Sequence, residues 1–541
     1  MANSIISKVY LLDTPLKNDY KDTFYFTSKS AQETYFQGRV KHTFNNVSYL
    51  RKEQVIKLNA QYDTISTCNY LMYQNTAYSN KWIYCFIKSM KYISDGVTEI
   101  EIETDVIQTY LFDYEVHRSF VEREHVSDDT IGKNTVPENL ETGEYTIKDS
   151  YVYSELTDTC PVLAMTYDPI NDKNAWGSFN SNKYEGLGYY IFKGTLSESY
   201  NGADQVTVIK ALLDKLADAG KGDSIVSMFM APRKMVGWDE EGAWSIMKDT
   251  ALTGTCRDAS SNVPSYEPYS FTDFTVDKPT DINGYTPKNN KLFTFPYNYL
   301  HLSNNNGGNV VYHYEDFSNK PTFKVKGVLT TSCSIRAIPS NYKNLSENFN
   351  EGLSAGKFPV CAWLNDVYTN WLTQNGINIG LQAVSSGMQI IGGAALLMTG
   401  GGAMAGASAM LSGSMGIAST LGSVYSHSLI PPQAEGNINS GDISFSANKN
   451  TFEAFRIQIK SEYAKIIDDY FDMFGYKVND VKVPNKNHRS QHWYTKTIDV
   501  NITGEIPGTD LQKIKDCYNQ GISFWKNPAN IYRYDLANGI S

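Results

Sequence analysis

Cysteine is scarce and scattered in this 541-residue chain. Its seven residues, Cys68, Cys85, Cys160, Cys256, Cys333, Cys361 and Cys517, are odd in number and never form a Cys-x-x-Cys pair. A disulfide framework and a zinc ribbon are thereby excluded, and stability has to come from packed cores. Positive charge is in deficit too, with 48 Lys and Arg against 58 Asp and Glu and a formal net charge of −10. Such a chain presents no broad basic field to phosphates, which excludes a general nucleic-acid binder. No basic stretch followed by a long apolar run opens the sequence, so no signal peptide is expected and synthesis in a reducing cytosol is.

Catalytic signatures are missing as well. His488-Arg-Ser-Gln-His492 has the histidine spacing of a zinc protease without the intervening Glu. Gly352-Leu-Ser-Ala-Gly356-Lys357 is one residue short of a phosphate loop, and Phe358 stands where Ser or Thr would meet magnesium. Glu122-Arg-Glu124-His125 carries acid and base groups but no further partner nearby in sequence, and it reads as structural ion pairing. Neither a catalytic residue nor a cofactor or metal is predicted. Scattered carboxylates leave a wall-cutting hydrolase open as an alternative, without a motif pointing to it.

What the chain does have is apolar and aromatic material. Hydrophobic residues make up 41%, and 38 Tyr outnumber 24 Phe, a bias that suits half-buried strands and interfaces, where a ring packs while its hydroxyl stays wet. A β-rich assembly protein of three or four domains is expected, at roughly 150 residues each. Trp82–Tyr92 and Val97–Asp105 alternate with the two-residue period of strands and are joined through Ser94-Asp95-Gly96, which predicts a hairpin. In the second strand Ile100 and Ile102 share one face, and Glu99, Glu101, Glu103 and Asp105 line the other. That acidic face has two readings. It is a solvated surface partly paired with lysines across the strand, or a wall that a polyanion must not stick to.

Further along, Asp204–Ala219 has a capping residue, an apolar stripe and a Gly220 stop, so a helix is predicted within a middle α+β region over 151–290. Strands are expected at Lys291–Tyr297, Asn309–Tyr314 and Thr322–Thr331, with a turn at Asn304–Gly308, in a second β domain over 291–360. A carboxyl-terminal α+β unit over 441–541 holds a helix over Lys460–Phe474, with Tyr463, Ile466, Ile467, Tyr470, Phe471 and Phe474 on its apolar face and Gly475 as its end. The strand Lys496–Gly504 follows, then a helix opened by the capping box Thr509-Asp-Leu-Gln512 and closed by Gly521.

Between these regions, in a loop placed over 361–440, no Asp, Glu, Lys or Arg occurs from Val367 to Ala434. Ile377–Met398 and Ala403–Val424 flank Gly400-Gly401-Gly402, and as helices each would be roughly 33 Å long, enough to cross a hydrocarbon core. Small residues recur four apart, at Gly402/Gly406, Ala405/Ala409 and Ser412/Gly416, the spacing that lets helices approach closely in lipid. Because Gly, Ala, Ser and Thr dominate, conditional insertion from a sheltered state fits better than a permanent anchor. A buried helical hairpin in an ordinary core is the alternative, although a core helix normally shows a charged outer face and this stretch shows none.

The segments Asn18–Ser28, Asn75–Trp82, Glu103–Tyr110 and Phe120–Val126, in that order, closely resemble the tail knob, or distal tail tube, proteins of the small short-tailed phages of Gram-positive bacteria that replicate by protein priming. The resemblance covers about 130 amino-terminal residues closely and the sheet near 291–340 more loosely. It implies a homohexameric, mostly β tube with barrel-like domains 1–150 and 291–360, the middle domain outside, and a lumen that conducts double-stranded DNA without sequence specificity. It also implies hydrophobic loops that close the far end and later form a pore in the host cytoplasmic membrane. The implied partners are the lower collar or tail tube protein and a cell-wall-degrading tail tip protein, and the implied location is the distal end of the virion tail. On this reading Leu381, Ile390, Ile391, Leu396, Leu397, Met404, Met410, Leu411, Ile417 and Leu421 are the candidate membrane contacts. Gly400, Gly401 and Gly402 are the hinge, and Glu99, Glu101, Glu103 and Asp105 are candidates to face the lumen. A tail adsorption protein that holds wall polymer through loops of 150–290 is the competing expectation.

Overall fold

The computed structural model describes residues 7–47, 49–50, 54–75, 79–168, 173–174, 188–192, 216, 218–236, 256–258, 269–329, 332–356, 358, 360–362 and 450–541. The chain is mostly β, with curled, half-barrel sheets. It divides into two compact units. One gathers Met1–Glu144, Thr280–Tyr297 and Ile459–Ser541, and the other Tyr145–Pro279 and Asn298–Gln458.

A seven-stranded antiparallel sheet forms most of the amino-terminal part of the first unit, in the order Val40–Asn45, Ser7–Leu12, Tyr70–Asn75, Trp82–Ser94, Val97–Thr104, Val55–Leu58, Tyr49–Leu50. Alternation decides its faces: Leu71 and Tyr73 join Val9, Leu11, Ile100 and Ile102 in one apolar cluster, while Tyr70 and Met72 join Leu12, Phe36, Tyr84 and Trp525 in another. Both faces of the central strands are therefore buried. The predicted hairpin is present, closed by Asp95 and Gly96 between Ser94 and Val97.

The second sheet of this unit joins the two ends of the chain, in the order Asp22–Phe24, Ile522–Trp525, His492–Ile498, Ser119–Glu124, Tyr476–Lys482. Two helices accompany it. Ser461–Phe474 ends at Gly475, whose φ of +63° and whose approach to the Glu124 carbonyl, 2.2 Å from where a Cβ would stand, leave room only for glycine. Its inward face differs from expectation. Ala464, Ile467 and Phe471 are buried as apolar residues, but so are Asp468 and Asp472, while Ile466 is 66% exposed. The rotation is set by Asp468, which accepts hydrogen bonds from the Tyr285 hydroxyl (2.7 Å), the Lys288 amide (2.7 Å) and the Asn289 amide (3.1 Å) and side chain (2.7 Å). A carboxylate with four donors is satisfied in the interior, and the helix turns to deliver it.

The helix Gly508–Gln520 begins after Pro507 with no side-chain cap, so the capping box does not form. The Pro507 carbonyl instead accepts from the Asp510 and Leu511 amides, and Gln512 bonds Asp516. The helix ends as expected at Gly521, φ +99°. The strand expected over Lys496–Gly504 is split into His492–Ile498 and Ile502–Gly504, the latter paired with Tyr114–Val116. Lys291–Tyr297 is not a strand. Asn290–Phe293 forms a 3-10 turn that buries Lys291, whose ammonium donates to Glu138 (2.7 Å) and to the Val136 carbonyl (2.9 Å).

In the second unit, Tyr145–Val152, Glu453–Ile459, Asn298–Ser303 and Asn309–Tyr312 lie side by side in one sheet. Phe317–Leu329 and Cys333–Tyr342 form the long hairpin of another, and Thr159–Met165 pairs with Ile225–Pro232 in a third. One apolar core including Val162, Phe229, Phe274, Leu300, Tyr312, Phe323 and Phe452 serves these sheets. The turn at Asn304–Gly308 is held by Asn304 Oδ1, which accepts from the Asn306 and Gly308 amides (both 2.9 Å). Of the helix expected over Asp204–Ala219, most lies outside the described residues. Leu216 and Asp218 are helical, and Gly220 at φ +64° ends it. The last hundred residues are thus shared between the units, because Glu453–Gln458 belongs to the second and the rest of 459–541 to the first.

Candidate functional site

The strand Val97–Thr104 carries the acidic face. Register puts Glu99 opposite Lys57 on one neighbour and Lys91 on the other, while Ile100 lies opposite Ile56 and Met90. Each glutamate has found a lysine: Glu99 with Lys57 at 3.4 Å, Glu101 with Lys88 at 3.5 Å, and Glu103 with Lys513 at 3.3 Å. The Ser89 hydroxyl also donates to Glu101 (3.1 Å). Exposed pairs of this kind stabilise by about 0.2–1 kcal/mol each, and their larger effect is to make the face mixed in charge. Glu99, Glu101 and Glu103 are thus each matched by a lysine on this face.

Asp105 does not share that face. The strand ends at Thr104, and Asp105, 1% exposed, starts the short helix Val106–Tyr110. Its Oδ1 accepts from the Gln108 amide (3.1 Å) and its Oδ2 from the Tyr70 hydroxyl (2.8 Å). Burial pushes its pKa up to about 6, against the lowering effect of those donors. Two-residue parity placed it outward, and parity fails where the backbone leaves the strand.

The ten candidate membrane contacts from Leu381 to Leu421 and the glycines Gly400, Gly401 and Gly402 lie outside the described residues. Among the described residues no helix is long and apolar enough to cross a membrane.

Two of the motifs set aside as catalytic are tied into ion pairs and hydrogen bonds, Glu122–His125 throughout and His488–His492 through its second histidine. Glu122 pairs with Lys496 (2.8 Å), Arg123 with Glu138, and Glu124 with Lys482 while accepting from the Asn485 amide (2.9 Å). His125 accepts from the Tyr494 amide at Nδ1 (2.8 Å), and its Nε2 donates to the Asp472 carbonyl (3.0 Å). His492 donates to the same carbonyl (3.1 Å) and stacks on Trp525 at 4.4 Å. Burial keeps both rings neutral: it holds His125 well below the usual range and His492 down at about 4. Among the described residues no group of three His, Cys, Asp or Glu side chains could hold a metal ion.

Sequence reasoning missed an open cleft of about 360 Å³ in the first unit. Tyr470, Phe474 and Tyr494 form an aromatic wall, with ring centroids 5.1 and 5.4 Å apart. Arg123, Lys477, Lys496, Glu122 and Glu138 supply the charge, and the Arg123 guanidinium lies 4.9 Å over the Tyr470 ring. Beside it, Val481, Phe120 and Ile498 stand in direct cross-strand register and are 53%, 36% and 54% exposed. Its trace in the sequence is the i, i+4 pair Tyr470 and Phe474 on the apolar face of their helix.

Comparison with known proteins sets the class first: residues 6–115, which contain the seven-stranded sheet, match the family model of the caudoviral major tail protein N-terminus. Residues 262–539, more than half of the sequence, match the C-terminal domain of tail knob protein gp9 of Bacillus phage phi29, and the chain belongs to that tail knob family. It is 26% identical to tail knob protein gp9 of Bacillus phage phi29, with 98% of each chain covered, and 25% identical to that of Bacillus phage B103, with 95% of each covered. In fold it resembles the tail knob protein gp12 of bacteriophage C1, with a TM-score of 0.61, 14% identity and 99% of this chain and 100% of that one covered. The protein is a structural component of the virion tail.

Proposed function

We propose that the protein builds the distal tube of a short phage tail as a homohexamer, conducts double-stranded DNA through its axis, and is closed before infection by the uncharged stretch Val367–Ala434. That stretch then enters the host cytoplasmic membrane. The observation that carries this reading is the complete lack of Asp, Glu, Lys and Arg across the stretch in a chain of the tail knob family. Six copies would shelter one another in the closed tube, and up to twelve helices could line a pore after release. Leu381, Ile390, Ile391, Leu396, Leu397, Met404, Met410, Leu411, Ile417 and Leu421 make the lipid contacts, with Gly400, Gly401 and Gly402 at the bend.

For the wall we assign the strand carrying Glu99, Glu101 and Glu103. A duplex bears one negative charge per roughly 1.7 Å and binds cationic surfaces by releasing counterions, and a face whose lysines are matched by glutamates offers it no net purchase. Above this tube sits the lower collar or tail tube protein, and at its tip a wall-degrading partner. The deciding experiment is dye leakage from liposomes by the purified protein with and without residues 376–424. Leakage that needs those residues supports membrane entry; equal leakage overturns it. Reversing Glu101 and Glu103 to lysine slows genome ejection if the strand lines the channel, and leaves the rate unchanged if it does not.

A further inference from the structure

The hairpin Trp82–Ser94 and Val97–Thr104 ends in an exposed tip. Strand Tyr70–Asn75 accompanies Trp82–Phe86 only, so among the described residues the outer half of this strand pairs on one side alone. Lys88 and Lys91 stand along that outer half, charges that discourage strand addition. The apolar side chains lie further out: Tyr92 is 55% and Ile93 44% exposed, with Asp95 beside them accepting from the Tyr92 hydroxyl. An exposed aromatic, an exposed aliphatic and an acid on a projecting turn have the composition of a docking knob.

The aromatic cleft has the complementary composition. Its wall of Tyr470, Phe474 and Tyr494 is apolar, and its charges do not cancel. Glu138 is taken by Arg123 and Lys291, and Glu122 by Lys496, which leaves Lys477 as the lining cation without a carboxylate partner among the described residues. At about 360 Å³ the cleft is large enough for side chains and not merely for water.

We propose that the tip of one copy seats in the cleft of the next, with Tyr92 and Ile93 against the aromatic wall and Asp95 paired with Lys477. Knob and hole belong to the same unit and share no residue, so a contact that joins one copy's tip to the next copy's cleft is heterologous, and repetition of such a contact closes a ring when the rotation permits. The inference names the subunit interface of the ring proposed above and rests on that reading.

The test is sedimentation of the full-length protein as wild type, Asp95→Lys, Lys477→Glu and the double variant, with thermal melts as the control for folding. Each single reversal is expected to weaken self-association by about tenfold or more, and the double reversal to restore most of it by re-forming the pair with opposite sense. Variants that assemble like the wild type, or a double variant no better than the weaker single one, overturn the interface while leaving the ring standing. A wild-type chain that stays monomeric at all concentrations overturns both.

Discussion

The two units solve the problem of an interior in different ways. The largest apolar core of the second unit, among the described residues, runs from Tyr153 through Phe229, Leu300 and Phe323 to Phe452, and Leu163, Met165, Leu216 and Ile225 are buried apart from it. Among its described residues the first unit has four smaller clusters. Buried polar groups sit among them: Asp105, Glu138, Asp468, Lys291, His125 and His492. A continuous apolar core is indifferent to protonation, whereas a buried carboxylate or imidazole ties folding to pH. The comparison teaches that, among the described residues, the unit containing hairpin, cleft and both chain ends is the one that buries charged and imidazole side chains in its interior.

The strongest way to break the comparison is to empty each interior. Phe323→Ala in the second unit and Phe36→Ala in the first, where Phe36 is fully buried against Tyr70 and Tyr84, should each cost about 3–5 kcal/mol in denaturant melts. The loss should be the same at neutral and acidic pH for Phe323→Ala. Glu138→Gln leaves Arg123 and Lys291 buried without their anion and should cost a similar amount, about 3–5 kcal/mol. Unlike the core deletion, it should be eased by a second change of Lys291 to Met.

Acid sharpens the contrast next. His492 titrates at about 4 in the fold and near 6.5 when unfolded, so between these values the unfolded chain binds the extra proton. Stability is full above about 6.5, falls as pH drops toward about 4, and levels off below, a loss of roughly 3 kcal/mol at about 1.4 kcal/mol per unit. Asp105, raised to about 6, acts in the opposite sense, because the fold holds its proton more tightly and gains as pH falls through 6. His492→Gln should flatten the acid limb and Asp105→Asn should steepen it, read from melting temperatures at about pH 7.5 and about pH 5. The smallest effect is expected at the surface. Lys57→Met, which breaks the pair with Glu99, should change stability by less than about 1 kcal/mol, with the difference vanishing in high salt.

Local signals were legible where local physics decides. Alternation in Trp82–Thr104, the Asp95-Gly96 turn and the terminal glycines Gly475 and Gly521 can be read directly, because side-chain parity and positive φ are properties of a few neighbouring residues. Distant partners decided the rest. Asp468 turns its helix inward only because Tyr285, Lys288 and Asn289 supply donors from far along the chain, and a polar residue read alone is placed outside. Lys291 breaks a predicted strand because Glu138 waits for it. The cleft is assembled from residues 122–123, 138–140, 470–477 and 494–496, so no window of sequence contains it. The resemblance to tail knob proteins is carried by four segments that lie in order within the first 130 or so residues, whereas the match that shows the family lies over 262–539.

The most direct measurement is an electron-microscopic image of the purified particle. The account predicts sixfold rings with an axial channel obstructed at one end, and removal of residues 376–424 should clear the obstruction. Isolated subunits, or a particle with no axial opening in either form, would contradict it.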